Sequence, residues 1–275
     1  MNTDFHNSQS PTLNPPPLAE RTLASNGERW RSQKGAGERG GGRKLVVLSG
    51  AGISAESGFA TFRDSGGLWE QYDVNQVATP EGWYADPDFV TDFYNHLRQQ
   101  LINAKPNLAH QLLADLEKDY DVTIVTQNVD DFHERVGSSR VIYLHGELMK
   151  ACSSRNPEDL SQVVTLTPEN MALTANDKAR DGSRLRPFIV WFGEAVPRME
   201  EAARAAMDAD IFVIIGTSLN VYPAAGLVHY VPRSAKVFLI DPKEVQVPAT
   251  GHDVTVIQDV ATRGMQRLVE MLKEL

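Results

Sequence analysis

From Lys44 onward the chain is punctuated by short runs of apolar, largely β-branched residues, at 45–48, 122–125, 141–144, 189–192, 211–215, 237–240 and 254–257. Their hydrophobicity is continuous rather than alternating, which marks strands buried on both faces, as in a parallel sheet. Helical spacing falls between several of them. Leu108, Leu112 and Leu116 recur every four residues, and Met199, Ala203, Ala206 and Met207 share a face. Strand and helix in alternation predict an α/β fold with a doubly wound, Rossmann-like parallel sheet. Two interruptions, about 65–105 and about 149–186, are too long for simple connections and predict a smaller lid subdomain built from two insertions.

Residues 1–42 read differently. Pro15-Pro16-Pro17 and Gly40-Gly41-Gly42 bracket a polar stretch with almost no apolar periodicity. Such a composition cannot offset the entropy of ordering, so a disordered tail is expected, followed by one domain over 43–275. Asp4, Glu20, Glu28 and Glu38 argue against a transit peptide. The net charge of -9 excludes nucleic acid as the main partner. No apolar run reaches membrane-spanning length, and no membrane partner is expected. Cys152 is the single cysteine, so no internal disulfide can form and the cytoplasm is the expected compartment.

Polar residues cluster where the runs end, and open α/β sheets bind ligands beyond the carboxyl ends of their strands. The first run leads into Gly50-Ala51-Gly52-Ile53-Ser54. Glycines there let backbone N–H groups approach a pyrophosphate, although tight turns use the same pair. The spacing to Gly58 departs from the G-x-G-x-x-G of dehydrogenases and counts against simple hydride transfer. Asp241 follows the 237–240 run and suits ribose hydroxyls, or equally starts a turn before Pro242. Gln127, Asn128 and Asp130 follow the 122–125 run. They could hold a carboxamide and a ribose, or Asn128 and Asp130 could cap the helix containing His133. His145, alone among the histidines, sits at a strand end, with a pKa suited to general base work near neutrality.

Taken together, these segments resemble the sirtuin family. The matches are Gly50-Ala51-Gly52-Ile53-Ser54 through Phe62-Arg63-Asp64, Gln127-Asn128-Val129-Asp130, Leu144-His145-Gly146, Trp191-Phe192-Gly193-Glu194 and Gly216-Thr217-Ser218. They come in family order and span about Lys44 to the C terminus. The resemblance implies an enzyme that consumes NAD to remove acyl groups from lysine side chains of peptides or proteins. It implies phosphate binding around Gly50–Ser54 and at Gly216, Thr217 and Ser218, and Gln127 against the nicotinamide ribose. Asn128 and Asp130 would seat the carboxamide, Phe62 and Arg63 would shield the reacting carbon, and Ala261 would pack near the adenine. A strand made of Phe192, Gly193 and Glu194, with Asn220, Val221 and Tyr222, would clamp the peptide by strand addition. His145 would deprotonate a ribose hydroxyl after nicotinamide leaves.

Two departures stand out. Most sirtuins hold a structural zinc with two Cys-x-x-Cys pairs, and here only Cys152 remains, so no metal is expected. Ala78 and Tyr94 match members that prefer acidic acyl groups. Their arginine three residues after the tyrosine is Leu97 here, with Arg98 next to it on the same helical face as an imperfect substitute. Two other functions share the scaffold: transfer of ADP-ribose to a protein side chain, and non-catalytic sensing of NAD or ADP-ribose. Asn128, Asp130 and His145 together argue against a pure sensor, because binding alone does not need His145.

Overall fold

The computed structural model describes residues 42–59 and 71–275. Nearly all of the expected tail, the start of the first insertion, and Phe62 and Arg63 lie outside the described residues. Strands β1 (Lys44–Ser49), β2 (Asp121–Thr126), β3 (Val141–Tyr143), β7 (Ile211–Ile215), β8 (Lys236–Ile240) and β9 (Val254–Ile257) form one sheet in the order β3-β2-β1-β7-β8-β9. Every pairing in it is parallel. Strand order reverses direction between β1 and β7, which opens a crevice at their carboxyl ends.

Both faces of this sheet are covered, as continuous hydrophobic runs require. On one face Val46, Leu48, Val125 and Phe212 pack against Ala202 and Ala206 of α6 (Met199–Met207). On the other, Leu45, Val47, Ile124 and Val213 meet α4 (Leu108–Asp115) and α7 (Ala261–Leu272). Each fully buried aliphatic side chain contributes about 1.5–3 kcal/mol. The helical faces differ in detail from the expected ones. On α4 it is Ala109 and Leu113 that are buried, whereas Leu108 is 43% exposed, and on α6 Met207 is 48% exposed. Position on the helix decides this: Ala109 and Leu113 stand four residues apart on the face that meets the sheet, and Leu108 and Met207 fall outside the buried faces.

The smaller unit combines helices with a second sheet. Helices α1 (Val74–Val77), α2 (Pro80–Ala85) and α3 (Pro87–Asn103) start at Asp73, Thr79 and Asp86, whose side chains accept Asn75, Gly82 and Phe89 N–H groups. Prolines at the first position of α2 and α3 cost no helical hydrogen bond. The short helix α5 (Phe132–Arg135) lies between β2 and β3, and strands β4 (Gly146–Ser153), β5 (Val164–Thr165) and β6 (Leu185–Ile189) lie between β3 and α6. These strands form a three-stranded antiparallel sheet in the order β5-β4-β6.

One expected strand of the large sheet is therefore misplaced. The 189–192 run contributes only Ile189, at the end of β6 in the antiparallel sheet, and residues 192–194 form a turn instead of a strand. The physical cause is Glu194, whose carboxylate accepts the Trp191 N–H at 2.8 Å and pairs bidentately with Arg186. That clamp folds the chain back before a ladder can continue.

β4 begins at Gly146, which has φ 85 and packs its Cα against β6. A Cβ there would stand 2.1 Å from the Phe188 carbonyl oxygen. Gly146→Ala should therefore destabilise the protein by at least about 1–3 kcal/mol from backbone strain alone. Urea unfolding checks this, and an unchanged midpoint would exclude it.

Candidate active site

The carboxyl ends of three strands are tied together by backbone hydrogen bonds at the crevice. Gly50 N–H donates to Ile215 O at 3.0 Å, Gly52 N–H to Gly216 O at 2.8 Å, and Gly216 N–H to Ile240 O at 3.0 Å. The two loops touch main chain to main chain. A Cβ on Gly52 would lie 2.7 Å from Gly216 Cα, and Gly216 itself has φ 63. From Gly50 the chain turns into a 3-10 helix, Ala51–Ser57. The expected phosphate loops, Gly50–Ser54 and Gly216–Ser218, are thus adjacent. Gln127 joins them, its amide donating to Thr217 Oγ1 at 3.0 Å.

Beneath this crevice lies a buried polar floor. Asn128 is 4% exposed and donates from Nδ2 to Gly50 O at 3.1 Å and Ser54 Oγ at 3.2 Å. Ser54 Oγ donates onward to Asp130 Oδ2 at 2.9 Å. Asp130 Oδ1 accepts the Phe132 N–H at 3.2 Å, so the carboxylate caps α5 with one oxygen and faces the floor with the other. Burial pushes the Asp130 carboxyl up to about 6, with the Ser54 hydrogen bond pulling the other way.

His145 stands at the edge of this floor. Its Nδ1 lies 3.0 Å from the Gln127 carbonyl oxygen. A carbonyl only accepts, so Nδ1 carries the proton and Nε2 keeps its lone pair. Burial lowers the imidazole pKa, which keeps the ring neutral and basic at pH 7. That is the protonation state a general base needs.

Other expected residues fall into three groups. Phe192 and Tyr222 are 45% and 68% exposed, with Gly193 at φ 90 and Asn220 exposed. Phe192 N–H donates to Ala78 O at 2.9 Å, while Glu194 serves the internal clamp with Arg186. Tyr94 is buried and its hydroxyl accepts Trp191 Nε1–H at 3.0 Å, and burial raises its pKa. Arg98 is fully buried: Nε donates to Leu148 O at 2.8 Å and one terminal nitrogen to Asn95 Oδ1 at 2.9 Å. Its other terminal nitrogen has no partner, and burial lowers the guanidinium pKa to about 10. Leu97 belongs to the apolar cluster with Val77, Ala78 and Trp191. At the far edge, Asp241 accepts the Lys243 N–H at 2.9 Å and so does form a turn, at the end of β8. Ala261 is buried at the start of α7, and Val221 is half-buried.

The region around Cys152 does not fit a tetrahedral zinc. The thiol is buried, its Sγ 3.9 Å from Pro187 O, and burial pushes its pKa up to about 11. Ser153 Oγ donates to Asp181 Oδ2 at 2.7 Å and sits 2.9 Å from Ser183 Oγ. Arg155 and Asn156 N–H groups also reach Ser153 Oγ, at 3.1 and 3.0 Å. Hydrogen bonds therefore cross-link the segments around Cys152 and Asp181. Among the described residues no group of three or more His, Cys, Asp or Glu side chains could hold a metal.

A supporting layer escaped the sequence reading. Behind the floor, His133 Nε2 is 3.3 Å from Ser49 Oγ, and the His133 ring lies 5.0 Å from that of His110. His110 Nδ1 accepts the Asn107 N–H, and Asn107 Nδ2 donates to Ile53 O at 2.7 Å and Ser57 Oγ at 2.9 Å. This chain of contacts steadies the 3-10 helix from behind. The Asn-x-x-His spacing at a helix start is a capping pattern, and it was the available signal.

The sequence profile of the Sir2 family matches residues 50–223. An NAD-dependent protein deacylase of Bacteroides thetaiotaomicron is 58% identical over 230 residues, covering 84% of this chain and 98% of that protein. One from Helicobacter pylori strain 26695 is 49% identical over 233 residues, covering 85% and 99%. Among solved structures, a complex of a Sir2 homologue with NAD is similar with a TM-score of 0.72 and 37% identity, covering 85% of this chain and 90% of that one. A Sir2 complex with a p53 peptide and NAD+ gives a TM-score of 0.67 and 28% identity, covering 85% and 95%.

The two rear histidines make stability acid-sensitive. Burial lowers His110 to about 4 and His133 to about 3, so the unfolded chain takes up protons first. Their contribution is intact above about pH 6.5, the ordinary histidine value, and is lost as pH falls towards about 4. Asp130, shifted upward, offsets part of that window. Urea midpoints between pH 7 and 4 should fall in the native protein and fall less steeply in His110→Gln. Equal slopes would remove His110 from the effect.

Proposed function

The chain belongs to the Sir2 family, and we propose on that footing that its site removes acyl groups from protein lysines, passing them to ADP-ribose with release of nicotinamide. NAD is the co-substrate, and it supplies the ribose carbon whose bond to nicotinamide breaks. The observation that carries this reading is the convergence of Asn128, Asp130 and His145 on the crevice beside the glycine loops. The glycine loops, Thr217 and Ser218 hold the phosphates, with Gln127 and Asp241 towards the two riboses and Ala261 towards the adenine. Shielding of the reacting carbon is assigned to Phe62 and Arg63, which lie outside the described residues.

Asn128 and Asp130 act first, as the carboxamide seat. Their rigid partners, Ser54 and the Gly50 carbonyl, fix both side chains before substrate arrives, which lowers the reorganisation required at the moment of reaction. His145 acts second and takes a proton from a ribose hydroxyl through Nε2. An acyl-lysine peptide lies between the Phe192-Gly193-Glu194 turn and Asn220-Val221-Tyr222. The exposed aromatic rings of Phe192 and Tyr222 support that placement. The cytoplasm is the proposed compartment, on the single-cysteine composition. Among the described residues no helix is long and apolar enough to cross a membrane. Mass spectrometry of the products from NAD and an acyl-lysine peptide tests the reaction. O-acyl-ADP-ribose is expected, whereas mass added to protein would mean ADP-ribosyl transfer.

His145→Ala should lower turnover by about 10²–10⁴-fold, the usual worth of positioned proton transfer, with NAD binding retained. Asn128→Ala should instead suppress exchange of labelled nicotinamide into NAD, because it disturbs the carboxamide before any bond breaks. Native-like deacylation by folded His145→Ala protein would take His145 out of the mechanism.

The acyl pocket is proposed to favour neutral groups. Leu97 is apolar where a cation would face an acidic acyl chain, and a buried carboxylate without its cation is costly. Arg98 is drawn by Leu148 O and Asn95 towards β4. Acetyl peptides should therefore be cleaved faster than succinyl peptides, and equally fast in EDTA, since the cross-links around Ser153 and Asp181 replace a metal. Faster succinyl cleavage abolished by Arg98→Ala would assign Arg98 to the acyl carboxylate. Activity lost in EDTA and restored by zinc would overturn metal independence.

A further inference from the structure

A cavity of about 350 Å³ lies behind the catalytic floor, between α5, β3, β4 and β5. Ile102, Val129, Leu166 and Pro168 give it an apolar part. The remaining lining is charged and unbalanced. Asp131 pairs with Arg135 at 2.8 Å, and Glu147 pairs with Lys150, whose Nζ is 2.9 Å from Oε1. Glu134 has no ion-pair partner among the described residues, and Asp130 adds a further carboxylate to the lining. Glu134 stands at the open side of the cavity; partial burial and nearby Glu147 raise its carboxyl pKa, and Lys150 pulls the other way.

A second observation points to a ligand. Tyr143 lines the same cavity and is 5% exposed, yet its hydroxyl is buried with no hydrogen-bond partner. Its surroundings are the carboxylates of Glu134, Asp130, Glu147 and Asp131, all of which act on the phenol. An orphaned buried hydroxyl is costly, and a ligand hydrogen bond would recover that cost. An anion would meet four carboxylates here, and a neutral molecule would bring Glu134 no cation. An ammonium brings three donors and the missing positive charge.

We propose that this cavity binds a small amphipathic primary amine, its ammonium held between Glu134 and the Tyr143 hydroxyl and its apolar body against Ile102 and Leu166. The site is distinct from the crevice that takes NAD and peptide, although it shares Val129 and Asp130 as a wall. It stands whether or not the deacylase reading of that crevice holds.

Isothermal titration of the full chain with 2-phenylethylammonium, 2-phenylethanol and 3-phenylpropionate tests the proposal. The ammonium should bind at least about tenfold tighter than the alcohol, the size of one charge-assisted contact, and the carboxylate weakest. Glu134→Gln and Tyr143→Phe should each reduce that preference, with nicotinamide exchange and melting temperature close to native. Equal affinity for ammonium and alcohol would overturn the proposal. So would a preference that survives both substitutions, which would put the amine elsewhere, for example in the acyl-lysine channel.

Discussion

Everything in this protein is arranged around the contact of Gly50 and Gly52 with Gly216. Main chain meets main chain there at distances that no side chain could share. The contact locks the carboxyl ends of β1, β7 and β8 into one platform through three backbone hydrogen bonds. It lies where the strand order reverses, so the crevice of an open α/β sheet opens directly above it. The glycine amides named in those bonds serve cohesion. What the glycines leave for a ligand is an approach free of side chains.

The polar floor hangs from this platform. Asn128 reaches the Gly50 carbonyl, Ser54 links Asn128 to Asp130, and Gln127 connects Thr217 to His145 through its own side chain and carbonyl. Buried polar groups in so dense a network cannot move singly without leaving a partner unsatisfied. That rigidity suits a site where charge must be met by groups already in place. Its cost is visible in the displaced pKa values of Asp130 and of the two histidines behind it.

The smaller unit holds its loops in two ways. Arg186, almost wholly buried, clasps Glu194 and stacks over Trp191 with its guanidinium carbon 3.6 Å from the ring centroid. This sets the turn that presents Phe192. Around Ser153 and Asp181, short hydrogen bonds join segments far apart in sequence. Directional bonds to a carboxylate and two hydroxyls hold those segments together.

Much of the large sheet was legible in the chain, because strands buried on both faces must be apolar throughout, and six of the expected runs pair in it as parallel strands. The 189–192 run misled for the same reason: it is apolar and β-branched in part, and nothing local reveals that Glu194 and Arg186 will turn it aside. Likewise the polar residues at strand ends could be picked out by position, since a parallel sheet exposes its carboxyl edge. Which of them touch was hidden. Asp130 meets Ser54 and Arg98 is drawn away to β4 through partners distant in sequence, whereas Asp241 is engaged locally, in its own turn. Sequence by itself determined the elements and the chemistry available at their ends, because periodicity and side-chain type are local properties. Only the tertiary structure decided how that chemistry is joined, because hydrogen-bond partners and burial depend on what the fold brings alongside.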